Sequence, residues 1–108
     1  MNNPETIFDN LMFSDSKVNK VNVFTGTDMT IDTYYFKSGQ VLDYHNHSNG
    51  DQCFYFFQGS GKFYLNNGSE SVIDVKEGSI VYVPAGVSHK VENSNTEMVA
   101  VQSTIAGA

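Results

Sequence analysis

The chain offers three histidines, and two of them, in His45-Asn46-His47, stand at i and i+2. Successive side chains of a strand point to opposite faces, so such a pair points one way and can grip one metal ion together. Two ligands do not make a site, and an isolated pair of this kind sits equally well on a polar loop. Gln52 follows the pair closely and His89 comes much later. Asp43, Tyr44 and Asp51 flank the pair as candidate proton carriers or supports for a ligand, although acids in such positions are mostly solvated. Tyr82 and Gln102 are further candidates for chemistry, and Tyr34, Tyr35 and Phe36 for a pocket lining. Cys53, the single cysteine, neighbours Gln52 and so points to the other face. Without an activating base beside it, it reads as an apolar filler rather than a nucleophile.

The elements that must position these residues are short strands. Turn signals recur at Gly26-Thr27-Asp28, Ser38-Gly39, Ser48-Asn49-Gly50, Gly59-Ser60-Gly61, Asn67-Gly68, Glu77-Gly78, Pro84-Ala85-Gly86 and Asn93-Ser94-Asn95. Between them lie runs rich in β-branched and aromatic residues: Val21–Thr25, Thr30–Phe36, Cys53–Phe57, Lys62–Asn66, Ile80–Val83 and Met98–Ser103. That rhythm predicts an all-β sandwich or barrel. Asn67-Gly68 predicts a two-residue hairpin turn with positive φ at both central positions. Gly39, Gly59, Gly78 and Gly86 fall where the chain must turn sharply, and Pro84 ends a strand with no amide hydrogen to leave unpaired. Ile7, Phe8, Leu11 and Met12 would share one face of a helix over Glu5 to Phe13, which is expected either as a short helical arm or as an extended one. Along Phe54-Tyr55-Phe56-Phe57 both faces are apolar, with Phe54 and Phe56 on the Gln52 side. One face lines the core, and the other needs cover from a second sheet or a second subunit, which predicts a homodimer.

The spacing across two segments is more specific than any single residue. The first runs Gly39, five residues, His45, one, His47, four, Gln52, six, Gly59, and the second Gly78, five, Pro84, one, Gly86, two, His89, three, Asn93. These strings resemble the two motifs of the cupin superfamily at every glycine, proline, histidine and asparagine, with glutamine where the family usually has glutamate. The resemblance covers roughly Thr30 to Ser103. It implies a jelly-roll barrel, a double-stranded β-helix, with one divalent metal bound by His45, His47, Gln52 and His89. Imidazole donors suit Zn, Ni, Fe, Mn or Cu rather than Ca or Mg. A structural zinc site is usually closed and cysteine-rich, whereas three imidazoles with a weak neutral donor leave room for water or substrate. The neutral Gln52 leaves the site about one unit more positive than a glutamate would, so a bound water should be more acidic and the metal held less tightly. Small cupins with His, His, Gln and His ligands are known among those that open or isomerise unsaturated sugar acids, and this chain looks similar in size and ligand pattern. Those enzymes also place an acid and an arginine near the C-terminus, whereas this chain has no arginine.

Length and charge bound the remainder. One domain is expected over residues 1–108, with an N-terminal arm at about 1–18 and a barrel at about 19–105. The net charge of −6 disfavours nucleic acid and anionic membranes as partners, leaving small molecules or protein. No apolar run approaches a spanning helix and no targeting signal opens the sequence, so a cytoplasmic protein is expected. With no arginine to clamp a carboxylate, Lys62 and Lys90 are the only cations near the motifs. The function expected is metal-dependent chemistry on a small polar metabolite. The alternatives are an iron-dependent dioxygenase and a non-catalytic binding or sensing module.

Overall fold

The computed structural model describes residues 4–46, 50–94 and 96–105. Among these residues nine strands follow one another: β1 (Asn19–Thr25), β2 (Met29–Phe36), β3 (Val41–His45), β4 (Gln52–Gln58), β5 (Ser60–Asn66), β6 (Glu70–Lys76), β7 (Ile80–Val83), β8 (Ser88–Asn93) and β9 (Met98–Ile105). They form a five-stranded sheet in the order β1-β2-β9-β4-β7 and a four-stranded sheet in the order β3-β8-β5-β6, with every pairing antiparallel. The protein is all-β, as its turn rhythm predicts. No helix among the described residues is long and apolar enough to cross a membrane.

All six expected runs are strands. β3, β6 and β8 are additional, and each lacks a clean apolar alternation. The inner positions of β8 are His89, Val91 and Asn93, so chemistry-bearing residues stand where aliphatic ones would advertise a strand. In β6 only Val75 is buried. The turn between β5 and β6 differs from expectation: Asn66 pairs with Glu70, which leaves a three-residue loop, and only Gly68 has positive φ. The Asn66 side chain accepts the Gly68 N–H at 3.0 Å and so caps this longer loop. Gly59, between β4 and β5, combines two demands for glycine, because a Cβ there would lie 2.5 Å from the Glu97 carbonyl oxygen and its φ is +83°.

Phe36, Phe54, Phe56, Phe63 and Met98 are fully buried between the sheets together with Val75, Val81, Val83 and Val91. Phe54 sits at the centre, with ring centroids 5.1 Å from Phe63 and 6.0 Å from Tyr34. Burying each such side chain is worth roughly 1.5–3 kcal/mol.

The N-terminal segment is an extended arm, with one turn closed by the Asp9 N–H on the Thr6 carbonyl. A helix would use its carbonyls internally. Here they face the barrel: Ile7 accepts from the Tyr35 hydroxyl, Met12 from Asn19 Nδ2 and Ser14 from Gln40 Nε2. Phe13 packs edge-on against Tyr35 at 5.5 Å, so the arm covers part of the outer face of the five-stranded sheet. Phe57, Ile80 and Tyr82 on that face stay exposed.

Candidate metal centre

The site is built from the ends of three strands. Leu42 pairs with Val91 and His45 with His89, so β3 uses three residues where β8 uses two. This bulge turns His45 to the inner face beside Leu42. The His45 and His89 rings are 4.1 Å apart between centroids. His45 Nδ1 lies 2.9 Å from the Asp43 carbonyl oxygen and His89 Nδ1 lies 3.4 Å from that of Val87. A carbonyl can only accept, so each Nδ1 is a protonated nitrogen, and when the ring is neutral its Nε2 carries the lone pair that a metal needs. Phe63 stacks on His89 with its plane 4° away, and Phe54 packs against it edge-on.

Gln52 opens β4 on the same inner face and is 2% exposed. Its Nε2 donates to the Thr104 hydroxyl at 3.5 Å, and its Oε1 has no hydrogen-bond partner among the described residues. That orientation leaves the amide oxygen, the only atom of this side chain able to ligate a cation, facing inward. His47 lies outside the described residues, and among those residues no three His, Cys, Asp or Glu side chains gather at one point. Two imidazoles with oriented lone pairs and one orphaned amide oxygen fit the transition-metal donor set that the motifs imply.

The candidate proton carriers separate. Asp43 is exposed and accepts the Tyr44 N–H at 2.7 Å. Tyr44 lies on the outer face of the four-stranded sheet, where its hydroxyl meets the Glu70 carboxylate. That hydrogen bond pushes the phenol up to about 12. Tyr82 is on the outer face of the five-stranded sheet and donates to Asp51 at 2.6 Å, while Asp51 also accepts the Ala85 N–H at 2.9 Å. The Tyr82 hydrogen bond holds the Asp51 carboxyl below its ordinary range and in turn raises the phenol. Asp51 thus pins the Pro84–Gly86 turn next to Gln52. Gln102 alone of the four catalytic candidates faces inward, 1% exposed. Cys53 lies half-buried on the outer face, opposite Tyr82 and Ser103. Tyr34 and Phe36 line the interior, whereas Tyr35 is buried outside, beneath the arm. Burial is the main cause holding the Tyr34 phenol above its ordinary value, with Asp32 adding to it.

Two inner-face residues are absent from the candidates that the sequence suggests. Thr104 orients Gln52, and Asp32 is the one buried carboxylate among the described residues. Both were within reach of strand alternation, since Asp32 stands two before Tyr34 and Thr104 two after Gln102. Asn93, the last position of the second motif, serves the structure: its Nδ2 donates to the carbonyls of Phe36 at 3.3 Å, Lys37 at 2.8 Å and Thr96.

Comparison with known proteins agrees with this architecture. An uncharacterized protein of Methanocaldococcus jannaschii is 26% identical over 72 residues, which are 67% of this chain and 55% of that protein; the chain thus spans about half the length of this relative. The crystal structure of an uncharacterized conserved protein with a double-stranded β-helix domain from Klebsiella pneumoniae superposes with a TM-score of 0.89 at 19% identity, covering 99% of this chain and 92% of that one. KdgF from Halomonas sp. superposes with a TM-score of 0.75 at 18% identity, covering 89% of this chain and 84% of that one. At these identities the structural likeness is one of fold. The family model described as Cupin domain matches residues 32–104, from inner-face Asp32 through both motifs to Thr104, and the chain belongs to that family.

Proposed function

We propose that the chain is a metal-dependent enzyme acting on a small polar metabolite, a sugar acid or similar, by Lewis-acid and proton-transfer chemistry, with one divalent transition metal on His45, His47, Gln52 and His89. The observation that carries this reading is the Gln52 amide, buried and tied through Nε2 to Thr104, with its Oε1 unpartnered among the described residues. A buried carbonyl oxygen without a partner costs stability unless something completes it. When bound, a divalent metal in this neutral donor set supplies polarisation of a substrate oxygen. The chain's own residues do the rest. The carbonyls of Asp43 and Val87 fix the imidazole tautomers, and Phe54 and Phe63 keep water from the flanks of His89.

A second reading, a small-molecule binding module without turnover, is favoured by the outward placement of Asp43, Tyr44 and Tyr82. The test has two stages. Elemental analysis of purified protein should find close to one transition metal per chain, and the apo form should gain thermal stability from Zn, Ni, Mn, Fe or Cu. If neither is observed, the metal reading fails. A screen of sugars, uronates and keto acids then separates the two functions, since turnover supports the enzyme and binding alone supports the module.

The chain is also proposed to pair with a second copy through the outer face of the five-stranded sheet, where Phe57, Ile80 and Tyr82 are 45%, 65% and 58% exposed. Light scattering at micromolar concentration should report a dimer, and a monomer would overturn this assignment.

A further inference from the structure

The interior holds a second amide with one unpartnered atom among the described residues. Gln102 on β9 is 1% exposed, and its Nε2 has no hydrogen-bond partner among the described residues. Its register partners are Asp32 on β2 and Phe54 on β4, and the next inner position on β9 is Thr104, which holds Gln52. Gln102 is therefore a diagonal neighbour of Gln52 on one face of adjacent strands, within reach of anything bound there. An amide N–H donates to a neutral or an anionic oxygen, so the surrounding charge decides which it meets. Asp32 stands directly across from it with its side chain 7% exposed. The nearest cation, Lys20, is already 3.9 Å from Asp32. Lys62 is paired with Asp74 on the outer face of the four-stranded sheet, and Lys90 lies over the Tyr44 and Tyr64 rings on that same face.

We propose that Gln102 is a positioning residue whose amide N–H receives an uncharged hydroxyl or carbonyl oxygen of the ligand, and that the site selects neutral polyhydroxy or carbonyl compounds over the corresponding carboxylates. This rests on the metal-dependent chemistry proposed above and departs from its sugar-acid substrate, putting the uncharged sugar or carbonyl compound in its place. A carboxylate placed at Gln102 stands across from the Asp32 charge, which the Asn22 amide at 3.1 Å and the 55% exposed Lys20 at 3.9 Å offset only in part. A buried donor kept unsatisfied weakens the empty protein, which is the signature of a group held for a ligand.

The first experiment needs no metal. Gln102→Met removes the amide at similar volume, and the melting temperature of the apo protein should rise by about 3–8 °C, whereas a residue serving structure would lower it. The second measures binding of matched probes, D-galactose against D-galacturonate and D-glyceraldehyde against D-glycerate, to zinc-loaded protein by calorimetry. At least one neutral probe should bind about tenfold or more tightly than its acid. Gln102→Met should lose that affinity by a similar factor while zinc content stays unchanged, and Asp32→Asn should close the gap by admitting the acid. An apo melting temperature that stays or falls, an acid that binds as well as its neutral partner, or no binding of either neutral probe overturns the proposal. Failure of wild-type protein to retain zinc instead counts against the metal reading and leaves the apo measurement to decide the role of Gln102.

Discussion

The two ends of the barrel are built from the same strands and do opposite things. At one end, Phe36 pairs with Met98, and Ala100 stands between Tyr34 and Phe56, so the inner tiers are almost all hydrocarbon and ring. Further along the same strands, Gln102 stands between Asp32 and Phe54, and Thr104 between Thr30 and Gln52. The four-stranded sheet changes in step, from Phe63 against Val91 to Leu65 against His89. Alternation decides whether a side chain points in, and distance along the strand decides whether it supports the fold or serves the site. Stability and chemistry are thereby separated along each strand rather than divided between strands and loops.

Substitutions that touch one end should spare the other. The largest effect on stability is expected from Phe56→Ala, which should cost about 3–5 kcal/mol in urea denaturation while the folded fraction still retains metal. An equal loss of metal affinity would show that the ends are coupled. At the polar end, His45→Ala should abolish metal retention in elemental analysis yet shift the apo melting temperature by less than half as much as Phe56→Ala. Asn93→Ala, which strips the buried carbonyls of Phe36 and Lys37 of a donor, should cost about 1–3 kcal/mol and leave metal content intact. Gln52→Glu adds a charged donor at nearly constant volume, so it should bind metal more tightly and move any activity profile to higher pH. No change in either would place Gln52 outside the donor set. The smallest effect belongs to the exposed Lys37–Asp15 pair at 2.5 Å. Lys37 holds the Asp15 carboxyl below its ordinary 3.8, so its contribution is present above that value and is lost as pH falls through the lowered one. Asp15→Asn should therefore differ slightly from wild type at pH 7 and not at all once the carboxyl is protonated in both states.

The polar end was the more legible in sequence, because glycines, a proline and histidines at fixed spacing mark it. The apolar strands were legible too, since Phe54 and Phe56 alternate with Tyr55 and Phe57 as a strand requires. Less visible were the elements whose pattern is broken by what they do. β3 carries a bulge, and β8 spends inner positions on His89 and Asn93. The outward turn of Tyr44 and Tyr82 could not be read from their nearness to His45 and Pro84, because nearness in sequence says nothing about face until the register is known. For the arm, the spacing of Ile7, Phe8, Leu11 and Met12 left a helical and an extended form both open, and the choice falls to its carbonyls, which are claimed by Tyr35, Asn19 and Gln40 of the barrel.

The bulge in β3 has a chemical outcome besides a geometric one. Asp43 and Tyr44 have no register partner on β8, and it is the Asp43 carbonyl that receives the His45 Nδ1 proton. An irregularity in pairing has become the device that makes the protonation of one imidazole definite. Deleting Asp43 would leave Leu42 and the histidine two apart, both still inward on a smoother strand, but with that acceptor gone. The shortened strand should pair more regularly while its histidine divides between two tautomers, a change that nitrogen chemical shifts would register directly. Regular architecture and a single tautomer are, at this position, alternatives.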